Sequence, residues 1–350
     1  MNTPTPPKLG NVIDVDPAWI AKVTEEALEP ELPIVDPHHH LWQRAGNDYM
    51  FHDLLADTRT GHNIVATVFV DCHSMYRKAG PPELRCVGET EFANGVAAMC
   101  ASGLYGGLRA CAAIVSHVDL RLGAKAGAVF DAQMAAGNGR FIGIRYQTGL
   151  DKDPGIRPTR TNPTPGLMAD KTWREGFREL DKRGLTFDSW TYHPQLAEVG
   201  DLAAAFPNTQ IVLDHVGGPL GYASYASRHD EVFATWKKSM AELARRPNVT
   251  VKVGGLGMAM GWFDFYQQPS PPSSQMLADA FKPWVETCID LFGAERCMFE
   301  SNFPVDKITS GYGVLWNAFK RLAAKASASE KTALFSGTAA RVYRLDLATR

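Results

Sequence analysis

Residues 34–42 read Ile-Val-Asp-Pro-His-His-His-Leu-Trp, an apolar pair that leads into three consecutive histidines. If this stretch is extended, side chains alternate between its two faces, and Asp36, His38 and His40 share one face. His39 then points to the other face. The proline within the stretch cannot donate to a strand ladder, so we expect the strand to end there. Two imidazoles at a strand end can converge on one ion or one substrate atom.

Short histidine runs also occur in solvated loops and in remnants of purification tags. A tag explains this run poorly, because the run lies inside an apolar segment well past the N-terminus. A functional site and a solvated loop both remain open until the rest of the chain is considered.

Seven more short apolar runs follow along the chain, and most end abruptly in titratable or amide side chains. Runs of this length that are almost continuously apolar are typical of strands buried on both faces of a sheet. The runs are residues 64–70, 108–115, 141–144, 185–187, 210–213, 249–251 and 296–299.

Segments with helical spacing lie between these runs. Asp170 is a candidate N-cap for a helix that Gly184 would end. Ser327 and Glu330 match a capping box that opens a last helix through Tyr343. Two further helices are predicted by apolar stripes, which comprise Val232, Phe233, Trp236, Met240 and Leu243, and Met276, Leu277, Phe281, Trp284, Cys288 and Ile289.

Eight strand–helix repeats predict a (β/α)8 barrel, in which the active site forms at the carboxyl ends of the strands. A doubly wound open sheet is the alternative, but the chain has no G-x-G-x-x-G after an early strand and no phosphate-binding loop. Residues 151–170, rich in proline, threonine and arginine, are predicted to be a long loop over the barrel mouth. Residues 266–274 are predicted to be a second such loop.

The chain is predicted to consist of an N-terminal extension, residues 1–32, and a barrel domain, residues 33–350. Asp16 as cap and Pro17 at the first helical position predict one short amphipathic helix in the extension. We expect this helix to pack on the outside of the barrel or on a second subunit. The second arrangement would favour a homodimer.

The composition is that of an ordinary globular protein, with 350 residues, 45% of them hydrophobic, and a net charge of -2. The lack of a basic run argues against nucleic acid as a partner, and no apolar run is long enough to span a membrane. Residues 1–10 lack the apolar core of a signal peptide. The six cysteines are scattered, so we expect reduced thiols in a cytoplasmic protein.

Three motifs that follow predicted strands stand out together. They are residues 36–40 (Asp-Pro-His-His-His), 214–219 (Asp-His-Val-Gly-Gly-Pro) and 300–306 (Glu-Ser-Asn-Phe-Pro-Val-Asp). Together they resemble the lactonase-like, "amidohydrolase 2" branch of the amidohydrolase superfamily. That branch includes sugar-lactone and 2-pyrone-4,6-dicarboxylate lactonases and is related to decarboxylases that act on hydroxybenzoates. The resemblance covers most of the chain and is more specific for the family than for the substrate.

The resemblance implies roles for particular residues. His38 and His40 match the H-x-H of the first strand, and His215 matches the histidine that ends a later strand. Arg145 lies where relatives use an arginine to hold a substrate carboxylate. Asn302 lies where most relatives place an aspartate that binds metal or acts as the general base.

Because position 302 carries an amide, the general base must be another residue. Asn302 has no basicity at neutral pH, although it can donate to an oxyanion or orient a water. Glu300, two residues earlier on the same strand face, is the first candidate. Asp306 is the second and Asp188 the third, and His215 itself could serve. The alternative for Glu300 is a buried carboxylate paired with an arginine or a lysine.

A metal is the next open question. His38, His40 and His215 could supply three ligands to one divalent ion, most simply Zn²⁺, with Glu300 as a fourth. Two metals are not expected, because Arg145 occupies the position at which a bridging lysine would lie. The choice is one ion or none, and the missing aspartate favours a weak or absent metal.

Residues that follow other strand ends are candidates for substrate binding, because specificity loops lie there. These are His73, Tyr76, Trp190 and His193. Arg145 is a permanently charged fork that needs an anionic partner, either a substrate carboxylate or Asp188 or Glu300. Lys252 likewise needs an anionic partner, either on the substrate or within the protein.

Three functions are compatible with these residues. The first is hydrolysis of a lactone or similar cyclic ester, an anionic small molecule from sugar or aromatic catabolism, with histidines that polarise the carbonyl. The second is non-oxidative decarboxylation on the same barrel with a chelating metal. The third is a catalytically inactive barrel that acts as a binding protein, which Asn302 would favour.

Overall fold

The computed structural model describes residues 14–44 and 46–347. The first part of the predicted extension, including the segment without signal-peptide character, lies outside the described residues. The last three residues of the predicted barrel domain also lie outside them.

Eight parallel strands form one sheet, in which each strand is hydrogen-bonded to the next along the chain. The strands are β1 (Pro33–His39), β2 (Asn63–Val70), β3 (Arg109–Ser116), β4 (Phe141–Gln147), β5 (Thr186–Trp190), β6 (Ile211–Leu213), β7 (Val249–Val253) and β8 (Cys297–Phe299). The chain just after β8 returns to β1, since His40 N donates to Phe303 O at 2.8 Å and Asn302 N donates to His38 O at 2.9 Å. The predicted (β/α)8 barrel is confirmed, and the doubly wound sheet is wrong.

Helices lie between the strands and cover the outside of the barrel. The α-helices are Pro17–Ile20, Phe51–Thr58, Val87–Ala101, Ala126–Gly137, Lys171–Lys182, Leu196–Ala205, His229–Ala244, Ser274–Phe292, Tyr312–Leu322, Ala328–Thr332 and Thr338–Val342. The predicted cap at Asp170 is confirmed, because its side chain accepts a hydrogen bond from Trp173 N at 2.8 Å. One side chain of a predicted stripe is misplaced, because Met276 is 54% exposed. It precedes the buried Leu277 by one position, which turns it about 100° around the helix.

The last helical stretch begins as predicted and then departs from a regular α-helix. Ser327 and Glu330 form the predicted capping box. A π-helical segment, Ala333–Gly337, then separates the final two α-helical segments. The continuous helix that was predicted through Tyr343 is therefore wrong in this segment.

Several strands extend beyond the apolar runs that predicted them. β4, β5 and β7 each continue for two or three residues, so Arg145, Asp188 and Lys252 lie within strands rather than after them. All three are buried. Inside the barrel Lys252 pairs with Asp188, and Arg145 contacts His38. Because such partners satisfy buried polar groups, a strand need not end where its polar residues begin.

The alternation expected for the histidine stretch holds from His38 to His40, where His39 alone points away toward Thr67, but it does not extend to Asp36. The pairing of β1 with β2 shifts between Asp36 and His39. Asp36 accepts hydrogen bonds from Ser301 Oγ at 2.6 Å and from the Tyr312 hydroxyl at 2.9 Å. Asp36 therefore anchors β1 to neighbouring elements and does not lie with His38 and His40.

Residues 14–32 pack against the barrel of their own chain. Asp16 caps the helix Pro17–Ile20, as predicted, although this helix is only four residues long. Trp19 Nε1 donates to Gln268 O at 2.8 Å, which joins the segment to the predicted second loop. Of the two expected packings, the one on the main body is present, and a homodimer stays a prediction.

Two observations concern the whole described part of the chain. Its helices include none that combines the length and the hydropathy needed to cross a membrane. All six cysteines are buried and unpaired.

Candidate active site

Three histidines meet inside the barrel at the carboxyl ends of β1 and β6. His38, His40 and His215 are buried. The Nε2 atoms of His38 and His40 lie 3.3 Å apart, and the ring centres of His38 and His215 lie 4.6 Å apart. His40 Nδ1 lies 2.8 Å from Val70 O, so this nitrogen carries a proton and donates it to the carbonyl. The structure therefore brings the three predicted histidines together.

The backbone after β6 turns sharply to place His215. His215 and Val216 have φ values of 54° and 47°, in the left-handed region. Gly255 leaves room for the ring, because a Cβ at that position would lie 2.4 Å from His215 Nδ1. Strain of this kind persists where the surrounding structure enforces it, and it is frequent at active sites.

Glu300 bridges two of the histidines. Its Oε1 lies 2.7 Å from His215 Nδ1 and accepts from His215 N at 3.1 Å. Its Oε2 lies 2.8 Å from His38 Nδ1. Burial raises the pKa of Glu300 well above its ordinary value, and the Lys252 cation opposes this only in part. Among the predicted base candidates, Glu300 is the carboxyl group that contacts both His38 and His215.

Asn302 and Asp306 bind each other. Asn302 has a φ of 53°, and its Nδ2 donates to Asp306 Oδ1 at 2.7 Å. Asp306 Oδ2 accepts from Gly257 N at 2.9 Å. Burial raises the pKa of Asp306 to about 8. Both oxygens of this second base candidate are therefore occupied outside the histidine group.

A buried ion cluster lies behind His38. Lys252 Nζ lies 2.7 Å from Asp188 Oδ2, 3.1 Å from Asp214 Oδ1 and 3.2 Å from His38 Nδ1. The Tyr343 hydroxyl donates to the same Asp188 oxygen at 2.8 Å. Burial lowers the pKa of Lys252, but Asp188 and Asp214 outweigh it and hold the pKa above its ordinary value. The third base candidate, Asp188, thus belongs to a fixed ion pair.

Arg145 extends from β4 to the other side of His38. Its Nη1 lies 3.3 Å from His38 Nε2. Its Nη2 contacts the backbone oxygen of Asp71 and lies 3.6 Å from Asp71 Oδ2. The predicted intramolecular partners, Asp188 and Glu300, are wrong. Asp188 is opposite Arg145 in the register of β4 and β5 but pairs with Lys252, and the guanidinium lies beside Asp71 instead.

The histidines are neutral at ordinary pH. Burial lowers the pKa of His38 and of His40 well below the ordinary value, and nearby cations lower it further. Burial likewise lowers the pKa of His215 to about 3. Each neutral imidazole carries one proton, so its neighbours decide which nitrogen donates and which accepts.

A cleft of about 580 Å³ opens beside Asp71 at the barrel mouth. Two predicted substrate-binding residues, His73 and Tyr76, line it, and their ring centres lie 3.8 Å apart. Arg160, from the predicted mouth loop, lines the cleft and contacts the backbone oxygen of Cys72. The loop over residues 151–170 therefore forms one wall of the cleft.

The other two predicted substrate-binding residues have different surroundings. Trp190 packs edge-on against His215, with ring centres 4.7 Å apart. His193 Nδ1 accepts from Leu220 N at 3.2 Å, and its ring packs against Tyr225. Trp190 thus borders the histidine group, whereas His193 supports the loop after β6.

Two sets of atoms near His38 have the spacing of metal ligands. His38, Asp214 and His215 offer ligand atoms that all lie within 4.8 Å of one another, which replaces the predicted His40 by Asp214. The two Nε2 atoms of His38 and His40 are also spaced about as two ligands of one tetrahedral Zn²⁺ would be. However, Lys252 lies 3.2 Å from one ring nitrogen of His38 and Arg145 lies 3.3 Å from the other. A divalent cation on His38 would meet a positive charge on either side, so the residues as arranged do not fit it.

Sequence reasoning assigned no role to Asp71, Asp214 or Tyr343. The sequence did point to the two aspartates as site candidates, because each directly follows an apolar run. His215 follows the same run as Asp214, one position later. Tyr343 carried no such signal. It lies 155 positions from Asp188 and reaches it only through the closed barrel.

Comparisons with known proteins agree on one family. The family model for amidohydrolases matches residues 35–345. The uncharacterised protein y4mH of Sinorhizobium fredii is 34% identical over 337 residues, which cover 90% of this chain and 99% of that protein. An L-fucono-1,5-lactonase of Burkholderia multivorans is 30% identical over 180 residues, which cover 51% of this chain and 58% of that enzyme.

Solved structures share the barrel. An amidohydrolase from Burkholderia multivorans with bound zinc has a TM-score of 0.68 at 24% identity, covering 89% of this chain and 99% of that chain. A 2,6-dihydroxybenzoate decarboxylase has a TM-score of 0.51 at 13% identity, covering 89% of this chain and 99% of that chain. The chain therefore belongs to the amidohydrolase family and is an enzyme of the hydrolase class.

Proposed function

We propose that the enzyme opens a sugar lactone or a similar cyclic ester by attack of water at the barrel mouth. The observation that carries this proposal is the convergence of Arg145, the three histidines and Glu300 on one buried centre. Glu300 lies 2.7 Å from His215 Nδ1 and 2.8 Å from His38 Nδ1, and Arg145 lies 3.3 Å from His38 Nε2.

Arg145 supplies the positive charge that ester hydrolysis requires. Attack on the ester carbonyl moves negative charge onto its oxygen, and a preorganised donor in a dry site stabilises that charge far better than water does. The guanidinium is permanently charged and buried. The carbonyl oxygen therefore binds beside Arg145 and His38.

The His215–Glu300 pair handles the proton. His215 donates from Nδ1 to Glu300 Oε1, which leaves Nε2 as the accepting nitrogen. His215 takes a proton from water as the water oxygen bonds to the carbonyl carbon. When the bond between this carbon and the ring oxygen breaks, the same proton passes to the ring oxygen, and the product is an open hydroxy acid. In the meantime the Nδ1 proton of His215 moves to Glu300 Oε1 and later returns, because burial lowers the pKa of His215 to about 3 and raises the pKa of Glu300.

The cleft suits a small polyhydroxylated substrate. Hydrogen-bonding side chains line it, including Gln147, Thr161 and Asn162, and Arg160 adds a cation. These groups pair with sugar hydroxyls and with a carboxylate. Lactonase activity in the Burkholderia relative supports the same substrate class.

Decarboxylation and pure binding are supported less well. A decarboxylase of this fold type would chelate its substrate through a metal, and the two cations that flank His38 oppose a metal there. A binding protein would not need the His215–Glu300 pair. Release of CO2, or tight binding of a lactone without turnover, would identify these alternatives.

A lactone panel with one variant tests the proposal. The purified enzyme is given aldono-1,5-lactones and aldono-1,4-lactones, with and without a carboxylate, and acid release is followed in a pH-stat. Glu300→Gln should lower kcat by about 100-fold or more, whereas the exposed Glu295→Gln should leave it unchanged. Wild-type turnover in Glu300→Gln, or failure of the wild type on the whole panel, overturns the proposal.

A further inference from the structure

We infer that a small apolar pocket beside His215 holds a methyl-sized substituent of the substrate. The enzyme then prefers lactones in which the carbon that bears the ring oxygen carries CH3 rather than CH2OH. The inference deepens the proposed function and rests on it for the position of the ring oxygen. The pocket shares no lining residue with the cleft beside Asp71.

The pocket lies between His215 and the loops that follow β6 and β7. Its volume is about 10 Å³, and its surface is almost wholly apolar. A space of this size admits about one water molecule or one methyl group, and an apolar lining disfavours the water. The side chains that line it include Leu256, Met258, Met260, Trp262 and Phe263.

A separate apolar cluster extends the lining of the pocket along the barrel mouth. Met258 and Met260 pack against a buried group that consists of Ile156, Trp190, Tyr192 and Leu220. Trp190 also packs edge-on against His215, with ring centres 4.7 Å apart. The barrel mouth therefore has an apolar side next to His215 and a polar side next to Asp71.

The position of His215 decides which substituent enters the pocket. In the proposed reaction His215 returns a proton to the ring oxygen as the ring opens, so this oxygen must lie close to His215 Nε2. The same imidazole lines the pocket. The carbon that bears the ring oxygen is therefore the part of the substrate whose substituent reaches the pocket.

The pocket distinguishes CH3 from CH2OH through the hydroxyl group. A methyl group gains free energy when it leaves water for an apolar space. A hydroxyl group in the same space loses its hydrogen bonds to water, and the loop wall of Leu256, Met258 and Phe263 offers it no side-chain partner. Discrimination of this kind by an apolar pocket reaches about 100-fold.

Matched pairs of aldono-1,5-lactones test the preference. The members of each pair differ only in CH3 or CH2OH on the carbon that bears the ring oxygen, and kcat/KM is measured from acid release. Among the pairs that the enzyme opens, we expect the methyl member to be favoured by about tenfold or more. A smaller ratio, or a preference for CH2OH, overturns the inference.

The 1,5-lactams of the same pairs measure binding apart from turnover, because an amide opens far more slowly than an ester. Titration calorimetry should show that the methyl lactam binds about tenfold or more tightly than its partner. Equal affinities, or no binding of either lactam, overturn the inference. A methyl preference in binding without turnover of any lactone would overturn the proposed function and leave the pocket assignment intact.

Met258→Gln tests the pocket itself. Glutamine is close to methionine in size, and its amide can pair with the hydroxyl of CH2OH. The methyl preference should fall by about fivefold or more in this variant. Met276→Gln is the control and should keep the preference, since Met276 is 54% exposed on the helix Ser274–Phe292. An unchanged preference in Met258→Gln overturns the inference, and the wild-type ratios decide it if this variant does not fold.

Discussion

Asn302 donates a hydrogen bond from its side-chain amide to Asp306 Oδ1 at 2.7 Å. The amide thus donates to a buried carboxyl group, and Asp306 in turn accepts a hydrogen bond from the backbone N–H of Gly257. In this chain the loop after β8 is organised around that pair. The amide at position 302 is therefore a structural donor, and it does not by itself indicate a lost activity.

Asn302→Asp should destabilise the protein without raising turnover. Both residue types tolerate the left-handed backbone at this position, so the substitution changes charge and hydrogen bonding alone. Asp306 already holds its proton near neutral pH because its pKa is about 8. A second carboxyl group must therefore be buried beside it either as a charge or with a proton taken up from solvent, at a cost of about 1–3 kcal/mol in the free energy of unfolding. Urea unfolding near neutral pH measures this. Unchanged stability, or faster lactone hydrolysis, would speak against the role assigned to Asn302.

The stability of the protein should depend on pH through Asp306. Burial raises its pKa from the ordinary 3.8 to about 8. Because the folded state holds this proton more tightly, the stabilising contribution is full below 3.8, is lost as pH rises and is gone above about 8. In Asp306→Asn the free energy of unfolding should fall less between pH values of about 5 and 8 than in the wild type. Parallel pH curves for the two proteins would rule out Asp306 as the source.

Removal of the guanidinium should impair binding and chemistry together. Arg145→Met should lower kcat/KM by about 100-fold or more, because the developing oxyanion loses its charged donor. The loss should be similar for lactones with and without a carboxylate, because Arg160 and not Arg145 lines the cleft that takes the carboxylate. Arg183→Met is the control, since Arg183 pairs with Asp131 and Glu179 on the outer helices. An equal loss in both variants would point to a general effect on folding.

Much of the fold could be predicted because strands buried on both faces appear in the sequence as nearly continuous apolar runs. The apolar runs that precede His215 and Glu300 correctly gave the positions of β6 and β8 and their order in the chain. The ends of β4, β5 and β7 were missed for a physical reason. Arg145, Asp188 and Lys252 are polar yet buried, and only partners from distant strands make their burial possible.

The site was predicted less completely than the fold. The three histidines follow strand ends, and the barrel brings such ends together, so their meeting was foreseeable. Whether Asn302 faced the histidines or Asp306 depended on its backbone conformation, with a φ of 53° that periodicity does not reveal. The contact between Lys252 and His38 links β7 to β1, and no local pattern encodes it.

Lys320 should hold the N-terminal segment on the barrel. Its ammonium donates to Leu28 O at 2.6 Å and Glu29 O at 2.9 Å, and it lies 2.8 Å from His62 Nδ1. Lys320→Met should lower the free energy of unfolding by about 1–3 kcal/mol and speed protease cleavage within residues 14–32. Lys325→Met, at an exposed lysine, is the control. Cleavage at the wild-type rate in Lys320→Met would contradict this role.

Hydrolysis of a lactone in ¹⁸O-labelled water tests the central claim most directly. The account predicts that the open hydroxy acid carries one ¹⁸O atom in its new carboxylate, that one acid equivalent appears per lactone, and that Glu300→Gln slows label incorporation by about 100-fold or more. Release of CO2, or incorporation at the wild-type rate in Glu300→Gln, would contradict it.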